Sequence, residues 1–219
     1  MIELPLVSDA IGVSLFEALA HRESVRAYAD APLTLVQLSL LLGLSAQNTA
    51  GPWTSRGDGI ERVARLYPSA GGLHALELYL ALDDGSVEGL AAGLHHYCPQ
   101  QHACEWLCGR VDAIEILFER ARSVLDSGRR PPVLVLITSR MARARSLYPA
   151  TAYSMVLKEV GALLQTLYLA ATALGLAPCA LAALDDGSLL EDCAQLDARR
   201  EPLLGELAIG LPRSGSPAR

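Results

Sequence analysis

Strands that lie between helices, with one pair of strands joined as a hairpin, predict an α+β or mixed α/β class for this chain. Three observations carry the prediction. Short apolar runs occur at 77–82, 133–138 and 178–183; apolar positions at helical spacing separate them; and Pro99-Gln100-Gln101 forms a turn between two short arms. The 219 residues are enough for one substantial core, and neither a repeat nor a linker divides them, so one domain over 1–219 is expected.

The elements follow in order. Ser14 and Glu17 have capping-box spacing and start a helix over 15–21. Thr34 and Gln37 repeat that spacing and open an apolar helix through about Leu44. Gly51, Pro52, Gly57 and Gly59 make residues 48–59 read as a loop. A strand over 77–82 stops at Asp83-Asp84-Gly85, and 94–97 and 102–106 are the arms of the hairpin. From Val111, the positions Ile114, Leu117, Phe118, Ala121, Val124 and Leu125 have helical spacing, and Gly128 supplies the stop. The continuous apolar run 133–138 suits a strand covered on both faces. Pro149 suits the first turn of a long helix that ends at Gly175. A strand over 178–183, a helix over 188–196 and a strand over 206–210 complete the pattern, and the Pro/Ser/Gly-rich 211–219 reads as a flexible tail.

Composition narrows the function. Hydrophobic residues are 51% of the chain and charged residues 19%, which excludes intrinsic disorder. A net charge of −6 argues against nucleic acid as a partner. The start, 1–8, lacks a basic stretch followed by an apolar run, so the cytoplasm is the expected compartment. Five cysteines do not suggest a disulfide framework. The charge-free run 161–184 is long enough to span a bilayer. Gln165, Thr166 and Thr172 interrupt it and Gly175-Leu176-Ala177-Pro178 breaks it, so it reads as a buried helix and a buried strand, with no membrane partner. Lys158 is the single lysine, which leaves arginine to carry almost all the basic charge.

Several motifs could carry chemistry. In Arg22-Glu23-Ser24-Val25-Arg26, two guanidinium groups flank a hydroxyl, a donor set that suits phosphate, although arginines after a helix more often serve its C-terminal dipole. The small residues of Tyr67-Pro68-Ser69-Ala70-Gly71-Gly72-Leu73-His74 let backbone approach a ligand, or simply form a tight turn. It is neither a Walker loop nor a dinucleotide fingerprint. His95, His96, Cys98, His102, Cys104 and Cys108 are potential metal ligands, but His95 and His96 point to opposite faces of a strand; a Cys/His-rich hairpin without metal is the expectation. The acid pairs Asp83/Asp84 and Asp185/Asp186 suit solvated turns.

Taken in order, these pieces resemble the nitroreductase superfamily, and within it the SagB-type dehydrogenases that oxidise thiazolines and oxazolines with FMN. The resemblance runs from Glu3 to Pro212. It rests on Ser14-Leu15-Phe16-Glu17-Ala18-Leu19, Arg22-x-Ser24-x-Arg26, Pro32-Leu33-Thr34, Pro68-Ser69-Ala70-Gly71-Gly72 with His74 and Glu77-Leu78-Tyr79, Val87-Glu88-Gly89-Leu90, Gly93-Leu94-His95-His96-Tyr97 with His102, Leu167-Tyr168-Leu169-Ala170-Ala171, and Gly175-Leu176-Ala177-Pro178-Cys179-Ala180. It implies a central mixed β-sheet flanked by helices, in an intertwined homodimer with FMN at the subunit interface and the 150–174 helix at the centre of that interface. Arg22, Ser24 and Arg26 would hold the phosphate and the polar edge of the flavin, with Arg213 a further phosphate candidate. Pro68, Ser69, Gly71 and Gly72 would come from the partner subunit. The 180–183 stretch, including Leu181 and Ala182, would set backbone N–H groups near flavin N5. Azoline-oxidising members carry an adjacent Lys-Tyr pair; here the pair is Leu147-Tyr148, so Tyr148 remains as the catalytic candidate and the lysine is absent. The substrate class implied is a small-molecule, peptide-linked or carrier-bound heterocycle or modified residue. The alternatives are an NAD(P)H-dependent nitro or quinone reductase, or an accessory subunit that has kept the fold and lost the chemistry.

Overall fold

A computed structural model describes residues 1–6, 12–54, 57–109, 112–125, 129–182 and 188–213. In chain order the elements are β1 (Ile2–Glu3), α1 (Leu15–His21), α2 (Leu35–Ala46), β2 (Ala50–Thr54), β3 (Glu61–Ala64), a 3-10 turn (Ala70–Gly72), β4 (Leu76–Leu82), β5 (Gly93–Cys98), β6 (Ala103–Cys108), α3 (Asp112–Val124), β7 (Val133–Ser139), α4 (Met141–Leu147), α5 (Ala152–Ala173), β8 (Ala177–Leu181), α6 (Ser188–Ala194) and β9 (Leu203–Gly210). Seven strands form one sheet in the order β1-β6-β5-β4-β7-β9-β8.

Every ladder of that sheet is antiparallel, which corrects the expected mixed sheet. Topology supplies the reason. The α4–α5 crossover returns the chain so that β8 runs parallel to β7, but β9 inserts between them and pairs with both. β5 and β7 also run parallel, and β4 separates them.

The pleat sorts the apolar residues to two faces. Leu76, Leu78, Leu80 and Leu82 of β4, with Val133, Val135 and Ile137 of β7, pack against α2 and α5. Tyr79, Ala81, Leu134 and Leu136 face the other way, against α3. Both faces of the central strands are thus buried, as the unbroken apolar run 133–138 requires. Both predicted capping boxes form, Ser14 with Glu17 and Thr34 with Gln37. Among the described residues no helix is long and apolar enough to cross a membrane.

Three further boundaries differ from expectation. Residues 48–59 contain β2, which pairs with β3 as a separate two-stranded ribbon; β2 is exposed along its length, so no apolar alternation marks it. The long helix starts at Ala152, not Pro149, because α4 and a turn closed by Thr151 N–H donating to the Tyr148 carbonyl (3.2 Å) precede it. Of the expected tail 211–219, the first residues are held: Ala29 N–H donates to the Leu211 carbonyl (2.9 Å) and Arg213 N–H to the Ala27 carbonyl (3.2 Å), while 214–219 lie outside the described residues.

Candidate functional site

The expected ligand residues fall into two groups. The first gathers at the edge strand β8. Arg22, at the C-cap of α1, places its guanidinium 5.5 Å from the centre of the Tyr168 ring, a cation–π contact. The Ser24 hydroxyl lies 2.8 Å from the Tyr168 hydroxyl, and Val25 N–H donates to the Pro178 carbonyl at 2.8 Å. The Arg26 guanidinium donates to the Ser24 carbonyl (3.3 Å), and the Arg213 backbone closes on Ala27. Residues almost 190 positions apart in sequence thereby share one corner.

Tyr168 of α5 organises this corner, a role the sequence did not disclose. Its oxygen accepts the Ala180 N–H at 2.7 Å. That bond corrects part of the expectation for 180–183: the Ala180 amide is already engaged, and the Leu181 amide turns the other way, into the ladder with Glu206 of β9, which leaves Ala182 as the amide candidate, while Ala183 lies outside the described residues. Two hydroxyl protons serve one Ser24–Tyr168 contact, so one of them can be donated to a further acceptor.

The second group is the 68–74 turn. Gly71 and Gly72 have φ of +64° and +67°, the left-handed region that glycine enters without strain. A Cβ on Gly71 would lie 2.7 Å from Leu147 Cδ2 and 3.1 Å from the Tyr148 hydroxyl, so this turn packs directly on the Leu147-Tyr148 pair. Arg62 of β3 donates through Nε to the Gly71 carbonyl (3.0 Å), and Arg143 of α4 donates to the Leu73 carbonyl. Ser69 Oγ accepts the His74 N–H (2.9 Å) and donates to Glu159 Oε2 of α5 (2.8 Å). Pro68 is exposed beside it. His74 itself is buried near Arg65 and Arg143, and burial followed by those two charges pulls its pKa down to about 4.

Glu159 is the other residue the sequence did not single out, although it is a lone acid on an apolar helix face. It is 5% exposed, its Oε1 has no partner in hydrogen-bond geometry, and burial pushes its carboxyl above the usual range. A raised folded value favours the protonated form. Its stabilising contribution is therefore complete below the unfolded pKa of about 4.3 and is lost as pH rises through the folded value. Glu159→Gln is expected to raise the melting temperature at pH 7 and to lose that advantage near pH 4; thermal denaturation across this range checks it.

Glu159 and Tyr168 anchor the two groups to one helix, but on opposite sides of it. They are nine positions apart on α5, which is about 2.5 turns and about 13.5 Å. Within one chain, then, the Arg22/Ser24/Arg26/Arg213 corner and the 68–74 turn with Tyr148 are held to different faces of α5.

A central antiparallel sheet with helices on both faces, an arginine–serine corner at its edge strand and a glycine turn against α5 define a nitroreductase-like α+β protein. The chain belongs to the nitroreductase family, whose model matches residues 19–211. It is 28% identical over 190 residues, 87% of either chain, to a Methanocaldococcus jannaschii protein that carries the nitroreductase name. Among solved structures, a Ralstonia eutropha chain of the same name is 25% identical with a TM-score of 0.73, over 97% of this chain and 90% of that one. A chain of the Escherichia coli microcin synthetase McbBCD complex, solved with truncated pro-MccB17 bound, is 23% identical with a TM-score of 0.67, over 96% of this chain and 77% of that one. A Desulfovibrio desulfuricans chain solved in complex with FMN is 19% identical with a TM-score of 0.59, over 94% and 91%.

Proposed function

We propose that this protein is an FMN-dependent dehydrogenase that works as a homodimer on an azoline, or on a similar heterocycle or modified amino-acid residue, small, peptide-linked or carrier-bound. The observation that carries the reading is the convergence of Arg22, Ser24 and Arg26 beside β8, with the Arg213 backbone closing on Ala27 next to them. Guanidinium groups around a hydroxyl with a proton to donate fit a phosphate dianion, which accepts bidentate bonds from arginine. FMN held there would supply a two-electron acceptor for a hydride. Tyr148, beside Gly71, would exchange a proton with the substrate as the hydride departs. Leucine at 147 narrows the substrate toward one whose second hydrogen leaves as a proton without a strong base at that position. The structural likeness to the microcin synthetase chain, solved with truncated pro-MccB17 bound, is the reason for including a peptide-linked substrate.

Two observations support the homodimer. The two ligand groups sit on opposite faces of α5, so a second copy is the natural source of the missing half. Apolar side chains also remain exposed at both helices involved: Leu15 (67%), Phe16 (81%) and Leu19 (52%) on α1, and Tyr153 (60%) and Leu157 (43%) on α5. A soluble partner of the same kind would cover them. The same absence of lysine at 147 favours one second reading, a reductase that takes electrons from NAD(P)H.

The purified protein is expected to be yellow, or to become so with added FMN, and to scatter light as a dimer. Anaerobic mixing with a thiazoline peptide is expected to bleach the flavin faster than mixing with NADH or NADPH. A colourless protein that takes up no FMN overturns both readings, and faster bleaching by NAD(P)H moves the assignment to the reductase.

A further inference from the structure

The Cys/His-rich hairpin divides its ligands between two faces of the sheet. His95 and His102 are turned to the α5 side, where His95 Nε2 meets the Ala91 carbonyl (2.9 Å) and His102 lies between Ser39 Oγ and the Tyr97 hydroxyl (2.8 Å each). Both are structural. His96 and Cys98, two positions apart on β5, share the opposite face, and the register sets Glu105 of β6 directly across from His96. The donor atoms of His96, Cys98 and Glu105 all lie within 4.8 Å of one another.

The histidine is prepared for metal binding. Its Nε2 lies 2.9 Å from Glu77 Oε2, and the other oxygen of that carboxylate is 3.0 Å from Arg140 Nε. An acceptor-only carboxylate at Nε2 makes that nitrogen the N–H donor and leaves the Nδ1 lone pair directed at Cys98 Sγ, 3.8 Å away. Metal-bound histidines nearly always donate their second ring nitrogen in this way, usually to a carboxylate or carbonyl. Tetrahedral zinc, with bonds of about 2.0–2.3 Å, needs its ligand atoms about 3.3–3.8 Å apart. The Nδ1–Sγ pair already meets that spacing, and the exposed Glu105 carboxylate lies within 4.8 Å of both atoms. His96, Cys98, Glu77 and Arg140 also line a cavity of about 250 Å³, room enough for water to complete the coordination.

We propose that His96, Cys98 and Glu105 bind one zinc ion, with Glu77 orienting His96 and an open coordination position facing this cavity. Binding replaces the thiol proton that Cys98 shares with Nδ1, and that proton is released to solvent as the zinc–thiolate bond forms. Nitrogen, sulfur and oxygen in one set suit zinc rather than calcium or magnesium, which take oxygen ligands. The proposal does not rest on the flavin reading, since none of these residues belongs to either ligand group above.

Calorimetric titration of the chelator-treated, otherwise intact protein with zinc chloride is expected to give one ion per chain. Glu77→Gln should weaken binding about 10–100-fold, the effect typical of a group behind a metal-bound histidine. Cys98→Ser should weaken it at least as much, while Cys108→Ser, at the far end of the hairpin, should leave it unchanged. Cobalt substitution adds a readout that a merely structural cysteine would not give: a sulfur-to-cobalt charge-transfer band in the difference spectrum, lost in Cys98→Ser. Absence of stoichiometric zinc binding, or a Cys98→Ser protein of native circular dichroism that binds like the wild type, overturns the proposal.

Discussion

Mixing two inactive variants is expected to restore about a quarter of the wild-type flavin content and activity, provided that each flavin site draws one half from either subunit. The first variant, Arg22→Ala/Arg26→Ala, removes two guanidinium groups from the corner at β8. The second, Gly72→Asp, places a carboxylate on the 68–74 turn. Gly72 has φ of +67°, a Cβ there would make ordinary contact with Trp53, Arg62 and Val63 at 3.6–3.7 Å without a clash, and aspartate tolerates the left-handed region better than most residues. The fold should therefore survive while FMN is repelled. Alone, each variant is expected to bind almost no FMN, because every site in its homodimer is damaged. Refolding or co-expressing the two at equal amounts yields mixed dimers as about half the population. Each mixed dimer has one site with both halves intact and one with both halves damaged. Flavin absorbance per chain and turnover check the result together. No recovery, from variants that each remain dimeric, would place both halves of the site in a single chain and contradict the reading built on Glu159 and Tyr168.

Contacts between residues distant in sequence explain why only part of the candidate site could be read from sequence. The local pieces were legible because local rules determine them. Ser14 with Glu17 and Thr34 with Gln37 form their boxes since capping depends on residues three apart. The unbroken apolar run at β7 is buried on both faces as such runs require. The β2 strand of the ribbon was not legible, because its residues are exposed throughout and so need no periodicity. Nor was the mixed sheet excluded: strand direction depends on where β9 inserts, and 203–210 is apolar whichever neighbour it takes. Tyr168 and Glu159 act through contacts more than 80 positions away in sequence, to Ser24 and Ser69. A tyrosine and a lone acid on an apolar helix hint at polar partners, but only the fold names them.

Replacing Leu147 by lysine is expected to raise the rate of azoline oxidation by about 10²-fold or more, within the 10²–10⁴ range of a positioned acid–base group. Oxidation of an azoline removes a hydride and a proton, and the proton needs an acceptor at the moment the hydride departs. Leucine at 147 can offer none, whereas the azoline dehydrogenases that the sequence resembles carry lysine beside the tyrosine. The site can take the change. Leu147 is half-buried, with Cδ2 against the open side of Gly71, and the lysine stem can lie along the same surface with its nitrogen at the tip. The gain should grow with pH, because only the neutral amine accepts a proton. It should also require the neighbour: Tyr148→Phe in the Leu147→Lys background is expected to return most of it. Single-turnover bleaching of the bound flavin by a thiazoline peptide measures the step directly, free of product release. The NAD(P)H-driven rate should change little, since hydride delivery from a nicotinamide needs no base at this position. Enhancement of the azoline rate alone would support the proposed azoline substrate and make residue 147 the point at which this chain departs from the azoline dehydrogenases it resembles. Unchanged azoline oxidation in a variant that still holds FMN would remove the azoline substrate and leave the reductase reading.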